Sequence, residues 1–312
     1  MKVDRREFVT GAAAFAAVGG AFGQDFSPTG LPEFDAIQDE INQVTPSDYK
    51  DYCRPQAGLG TYVPGGEPTL AALRRLDAAF EKVVREAKEA KVEKGGSPAV
   101  WFVYNMGVLV KTSETLFSID LNHRFAESIA GELDFALITH NHMDHYTRRF
   151  YEAMDRVQRK PVVSNFLDNY GAYFKQRSSG GYTRGGKTFT FKDVTVKTSM
   201  SDHNAYLVDF TMPFEIDLGG YRIYHSGDSS NLEKLNPAQA PDLWFVHPYC
   251  GLDVVNGVQK FAPKKTLLLH LNELGHAKNR WRWTWKNGLA VKARIEAAGG
   301  KASVPLWGER IA

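Results

Sequence analysis

The sequence, 312 residues long, predicts a mixed α/β (α+β) fold, and three observations predict it. An amphipathic helical pattern runs from Glu67 to Lys94, with Leu70, Leu73, Leu76, Phe80, Val83, Val84 and Ala87 on one stripe. Beyond Pro98 the pattern changes to short apolar or alternating runs of strand length. Several of those runs end directly on a His or an Asp, which would lift polar side chains out at one sheet edge.

Composition sets the frame. With 43% hydrophobic and 24% charged residues the chain reads as an ordinary globular protein of one large or two modest domains. A formal charge of +2 and basic residues scattered in pairs such as Arg148-Arg149 and Lys264-Lys265 give no argument for a nucleic-acid partner. No internal repeat appears.

Residues 1–23 read as a targeting segment. Asp4-Arg5-Arg6-Glu7-Phe8-Val9 precedes a mildly apolar stretch from Gly11 to Gly23. This resembles a twin-arginine signal, which implies the twin-arginine export machinery as a partner and a periplasmic or otherwise exported protein. The stretch is too short and Gly-rich for a membrane span. Ala21 and Gly23 suit a signal-peptidase site, so the mature chain is expected to start near Gln24. The two cysteines, Cys53 and Cys250, would then meet an oxidising compartment, where they either pair or stay as small buried hydrophobes.

Residues 24–97 form an expected N-terminal arm plus the amphipathic helix, and 98–312 the main domain. The arm carries one short amphipathic piece, Phe34 to Val44. The helix places Pro68 in its first turn and stops at Gly95-Gly96. Ala99 to Val110 and Thr115 to Leu121 read as a hairpin around Lys111–Glu114. A short helix near Phe125 to Ile129 leads to the strand Phe135–Ile138. Arg148 to Gln158 and Phe166 to Gln176 read as helices, with a strand at Pro161 to Ser164 between them. Ser178 to Gly186 is a Gly-rich loop in which Tyr182 and Arg184 are candidates for a lid. Thr188 to Thr198 alternates, and Ala205 to Phe210 is expected to continue as strand. Tyr221 to Tyr224, Leu243 to Val246 and Thr266 to Leu269 are further strands. Lys286 to Ala298 is a closing helix, before a last strand at Ala302 to Leu306. Trp281, Trp283 and Trp285 are expected in the core or at a subunit contact.

The chemistry concentrates in Thr139-His140-Asn141-His142-Met143-Asp144-His145, directly after the strand Phe135–Ile138. Three of the nine His in the chain fall within six positions, beside a carboxylate. Imidazole and carboxylate are ligands that divalent metals such as zinc prefer. His203, Asp228 and His270 each follow a later β run in the same way. A His after a strand is usually a loop residue, but the order of all these positions points to one metal site.

Together these motifs resemble the metallo-β-lactamase fold superfamily of metal-dependent hydrolases, from about Pro98 to the C-terminus. The resemblance implies a four-layer αββα sandwich with the N-terminal helical extension added to it. It implies that His140, His142 and His203 hold one metal, that Asp144, His145 and His270 hold a second, and that Asp228 bridges both. Two divalent ions are therefore expected, zinc first, with manganese and iron as alternatives. Asp120 would orient a ligand rather than bind metal. Asp228 argues against a true β-lactamase. The motif layout is most similar to the branch holding ascorbate-phosphate lactonase and N-acylphosphatidylethanolamine phospholipase D, although Leu271–His276 departs from it.

The activity this implies is hydrolysis of a small-molecule ester, lactone or phosphodiester by a metal-activated hydroxide. Asp144 is the expected catalytic carboxylate, orienting the nucleophile and moving its proton. No Gly-x-Ser-x-Gly motif competes. Asn105, His247 and His276 are substrate-side candidates. Iron-based oxygen or sulfur chemistry on the same fold, and a periplasmic binding protein without catalysis, are the alternatives.

Overall fold

The structure, a computed structural model, describes residues 24–54, 67–165 and 185–312. The export segment, the Phe166–Gln176 helix and Tyr182 and Arg184 lie outside them. Among the described residues there are two β-sheets. The first is built from β1 (Ala99–Tyr104), β2 (Gly107–Lys111), β3 (Leu116–Ile119), β4 (Phe135–Ile138) and β5 (Val162–Ser164), in that spatial order. The second runs β12 (Ala302–Ser303), β11 (Lys265–Leu268), β10 (Leu243–Val246), β9 (Arg222–His225), β8 (Phe214–Asp217), β7 (Val194–Thr198), β6 (Thr188–Phe191).

The continuous apolar runs are explained by burial on both faces. In β1, Val100 and Phe102 join Phe117, Phe135, Val196, Phe214, Phe245 and Leu267 in a core between the sheets. Trp101 and Val103 point the other way, into a core shared with helices. The layers are therefore helix, sheet, sheet, helix. The helix Ala71–Glu89 covers the first sheet through Leu73, Leu76, Phe80, Val83 and Ala87, the stripe read from the sequence. Each such side chain contributes about 1.5–3 kcal/mol by leaving water. Its pose is fixed by Glu86, which accepts from Trp101 Nε1 at 2.9 Å, and by Lys111, which donates to Ala87 O at 2.6 Å. The closing helix Trp285–Ala297 packs against β12 and the helix Val254–Phe261.

Two stretches are parallel: β3-β4-β5, and β9-β10-β11-β12. The loops that leave β4, β9, β10 and β11 carry His140–His145, Asp228, His247 and His270, so side chains distant in sequence meet at the carboxyl ends of parallel strands.

Several elements differ from expectation. Ala205–Phe210 is not a strand; only a bridge between Ser201 and Thr211 remains, because Asn204 and Asp202 side chains accept from Tyr206, Leu207 and Asp209 backbone N–H groups and fold the segment into turns. Ala99–Val110 is two strands, broken where Asn105 turns left-handed at φ 55°. The arm carries the expected amphipathic piece as the helix Pro32–Asn42 and adds a second, unexpected helix, Pro46–Tyr52, started by a reciprocal Thr45–Asp48 cap. β8 and the helix Val254–Phe261 were not anticipated. The tryptophans divide: Trp285 is buried, Trp283 stacks on Tyr249 at 4.1 Å, and Trp281 is half exposed. Both cysteines are free. No helix among the described residues is long and apolar enough to cross a membrane.

Candidate metal centre

The seven residues expected as ligands form two groups. One donor atom each from His140, His142 and His203 lie within 4.8 Å of one another, as do those from Asp144, His145, Asp228 and His270. Asp228 joins the groups: its Oδ2 is 3.3 Å from His145 Nε2, 3.3 Å from His270 Nε2 and 3.6 Å from His203 Nε2. Its position depends on the residue before it. Gly227 has φ +54°, and a Cβ there would stand 2.8 Å from Thr211 Cγ2 and 3.0 Å from Thr139 Cβ.

Two of the imidazoles are aimed by their outer nitrogens. His145 Nδ1 donates to Asp120 Oδ2 at 2.9 Å, and Asp120 also accepts from Thr139 N at 2.7 Å and Thr139 Oγ1 at 2.6 Å. This is the orienting role expected of Asp120, held in a left-handed conformation at φ 44°. His140 Nδ1 pairs with Thr139 Oγ1 at 3.0 Å. The inner nitrogens, His140 Nε2 and His145 Nε2, are buried with no hydrogen-bond partner, as is Asp228 Oδ1. Buried polar atoms are rarely left so. Unpartnered imidazole nitrogens and carboxylate oxygens converging on one volume are the donor set a divalent ion takes, and the residues fit that group.

Charge differs between the groups. Burial pushes the Asp144 and Asp228 carboxyls upward, but the neighbouring imidazoles His145 and His270 outweigh it and hold both well below the usual carboxylate range. Burial opposes charge on His270, yet Asp228 and Asp144 raise it to about 10. His142 is instead lowered to about 4, by burial and then by His203 beside it. Burial and the adjacent His145 and His142 likewise hold His140 well below the ordinary imidazole range.

The substrate-side candidates are placed differently. Asn105 Nδ2 donates to Asp144 O at 2.8 Å, so it supports the ligand loop. His247 is buried, stacked on His270 at 3.9 Å with rings 5° from parallel, its Nδ1 3.3 Å from Asp228 Oδ1. It stands behind Asp228 and His270. His276 is half-buried, its Nδ1 2.8 Å from Glu273 and its ring 5.6 Å from Trp281.

Sequence reading missed three neighbours. Cys250 donates to Asp228 O at 2.9 Å and lies 3.3 Å from His203 O, tying the two loops together; its Sγ falls in a third cluster with His203 and Asp228, within 4.8 Å. Phe210 packs its ring on His142 at 5.1 Å and His140 at 5.7 Å. Asn122 Nδ2 donates to Met143 O at 2.8 Å. Only Cys250, three residues after His247, carried any motif-like cue.

No protein-family model and no curated protein matches the sequence. Solved structures do. A metallo hydrolase from the archaeon Ignicoccus hospitalis matches with TM-score 0.54 at 16% identity, over 69% of this chain and 98% of that one. YhfI of Bacillus subtilis, a metallo-β-lactamase fold protein, matches at TM-score 0.51 and 14% identity, over 68% and 98%. A variant of the β-hydroxylase CmlA, a Streptomyces venezuelae protein, matches at TM-score 0.52 and 15% identity, over 90% of this chain and 62% of that one. Likeness at these identities is likeness of fold, and with two stacked sheets and the donors gathered at their shared edge, this chain has the metallo-β-lactamase fold.

Proposed function

We propose that the protein is an exported, metal-dependent hydrolase that holds two divalent ions, zinc first, and cleaves a small ester or lactone. The observation that carries this reading is the convergence of seven buried or half-buried donors, with the inner nitrogens of His140 and His145 left without hydrogen-bond partners. His140, His142 and His203 would hold one ion, Asp144, His145 and His270 the other, and Asp228 both. When bound, such a pair supplies an acidified water as nucleophile and polarises the oxygen of the electrophile. The chain's own residues do the rest. Asp144, the catalytic carboxylate, lies 2.9 Å from His270 Nε2 and is steadied by Asn105, so one of its oxygens can accept the nucleophile's proton and pass it to the leaving group. Asp120 keeps the His145 tautomer fixed throughout.

The rim favours an uncharged substrate over a phosphodiester. Of the six exposed large apolar residues described, Met143, Tyr206, Val208 and Trp281 lie on the segments that carry His142, His203 and His276. Lys234, near the His203 loop, is already paired with Asp202 and Asp209. The similarity to metal-dependent hydrolases supports the reaction class, while CmlA, named a β-hydroxylase, keeps iron-based oxygen chemistry as the second reading. Export rests on the Asp4–Val9 motif and is tested by recovery from the periplasm of a chain beginning near Gln24.

The deciding experiment is elemental analysis of the purified mature protein together with hydrolysis of ester, lactone and phosphodiester chromogens. Two zinc ions per chain with turnover of esters or lactones is the expected result. Iron with no hydrolysis moves the assignment to oxygen chemistry, and full zinc with no turnover moves it to a binding protein.

A further inference from the structure

We infer that the N-terminal segment, residues 24–54, sets the metal affinity of the four-donor group by holding the loops that aim His270 and His145, and bears on the three-imidazole group only through the Asp120–Thr139 contact. This rests on the two-metal reading above. It makes the extension a working part of the metal centre.

The first attachment is to the loop after β11. His270 and Asn272 both sit in the left-handed region, at φ 60° and 57°. Two such residues within three positions persist only where surrounding contacts over-determine them. The backbone amides are held within the domain, His270 N–H by Asn105 O at 2.9 Å and Asn272 N–H by Trp283 O at 2.5 Å, and the side chain of Asn272 is held by the extension. Gln38 Nε2 donates to Asn272 Oδ1 at 3.0 Å, and Asn272 Nδ2 returns a bond to Gln38 Oε1 at 3.1 Å, both buried. Arg282, fully buried, spans the joint. Its guanidinium donates to Ile41 O at 3.3 Å, in the last turn of the helix Pro32–Asn42, and to Val44 O at 2.7 Å just beyond it. The same group donates to Leu274 O at 2.8 Å and Glu273 O at 3.1 Å, just beyond His270. One buried cation thereby satisfies carbonyls of both segments, and separating them would strand its charge. Thr284 Oγ1 adds a bond to Asp25 O at 2.5 Å.

The second attachment is to the loop after β3. Tyr52, at the end of the helix Pro46–Tyr52, donates to Asp77 Oδ1 at 2.7 Å and meets His123 Nε2 at 2.9 Å. Phe125 N donates to His123 Nδ1 at 3.1 Å, which leaves Nε2 as the donor towards Tyr52. His123 belongs to the loop that begins with Asp120, the partner of His145, and includes Asn122, which holds Met143 beside Asp144. The other donor group is reached only at one remove: Asp120 also holds Thr139, which pairs with His140 Nδ1, while the His203 loop is held by Asp202, which accepts from Lys234 and Asn231.

The test separates the groups by background. His142→Ala leaves the four-donor group, and His145→Ala leaves the three imidazoles. Into each go Gln38→Leu, Tyr52→Phe and Arg282→Met. Cobalt(II) affinity is measured against a chromophoric chelator, and the cobalt d–d spectrum is recorded. In the His142→Ala background, Gln38→Leu is expected to weaken cobalt binding about tenfold or more, within the range for residues that orient ligands, and to alter the spectrum. In the His145→Ala background neither changes. Arg282→Met is the harshest variant; if it does not fold, Gln38→Leu and Tyr52→Phe carry the result. Equal weakening in both backgrounds, no weakening in either, or no cobalt uptake by the four-donor group overturns the inference. Wild-type zinc below two per chain would instead sink the two-metal reading, and it is measured separately.

Discussion

The two donor groups meet at Asp228 but are built differently. His142 and His203 are half-buried, and the exposed Met143, Tyr206 and Val208 lie beside them in the chain. In the four-donor group, His145, Asp228 and His270 are buried, and His145 has a carboxylate behind it. One group is imidazole only, with His140 and His142 lowered by burial; the other mixes two carboxylates with two imidazoles, His145 and His270, that those carboxylates raise. The contrast shows where the protein has invested rigidity. The carboxylate-containing half is fixed by Asp120, Asn105 and the N-terminal segment, and the imidazole half lies on segments with exposed apolar side chains.

The largest effect is expected where the halves join. Asp228→Ala removes the carboxylate shared by His145, His203 and His270, and leaves His145 and His270 as two buried imidazoles without the anion that faces both. Zinc stoichiometry should fall below two, and turnover by about a thousandfold or more, the scale on which loss of one main electrostatic contact acts. Retention of both zinc ions and wild-type turnover would show that Asp228 joins nothing. Asp120→Asn tests the four-donor half most directly, since His140 meets Asp120 only through Thr139. It keeps an acceptor for His145 Nδ1 but removes the charge, and about tenfold to hundredfold weaker binding of one ion is expected, the other affected less. Loss of both ions equally would erase the contrast.

How far this arrangement was legible depends on the range of the interactions. All of the donors but His203 were legible because each ends an apolar run, and strand ends of a parallel sheet share one edge whatever the loops do. Asp120 was legible for the same reason. His203 follows the antiparallel β7 and was read from the order of the positions. Asn105 and His247 were read as substrate contacts because sequence gives adjacency to a strand end but not the direction of the side chain. The left-handed turn at Asn105 and the stacking of His247 on His270 decide their roles, and both arise from tertiary packing. The pairs Gln38–Asn272 and Arg282–Val44 join positions more than 230 residues apart, with no local pattern on either side. Ala205–Phe210 misled because its apolar alternation was outweighed by the side-chain turns of Asp202 and Asn204.

The brace on the carboxylate half also predicts a pH dependence. His123 is fully buried; burial and then the Arg124 charge lower it from 6.5 to about 3. The unfolded chain therefore takes up a proton near pH 6.5 that the folded chain refuses. Its contribution is fully present above pH 6.5 and is lost as pH falls from there towards 3. Between pH 7.5 and pH 5 the cost is about 2 kcal/mol. Urea unfolding of the metal-free protein should show His123→Asn losing less stability than wild type over that interval by about this amount. An equal loss would mean that His123 is charged in the folded state and that the hydrogen bond from Phe125 N is not kept.

The smallest effect lies on the open side. If the apolar rim receives the body of the substrate, Tyr206→Ser and Trp281→Ser remove contact area far from the reacting bond. Full burial of a methylene is worth about 0.8 kcal/mol, and a rim residue that is 51% or 71% exposed covers only part of one chain. A fall of about threefold to tenfold in kcat/KM is therefore expected for a hexanoyl ester, carried mainly by KM, with the acetyl ester unchanged. The metal content of these variants should equal wild type, because neither side chain touches a donor that fixes the ions. Equal loss on both esters would place the substrate body elsewhere. Neutral lipid vesicles that bind wild type but not the variants would turn the same rim into a membrane contact, and the half of the site that faces outward would then be a docking edge.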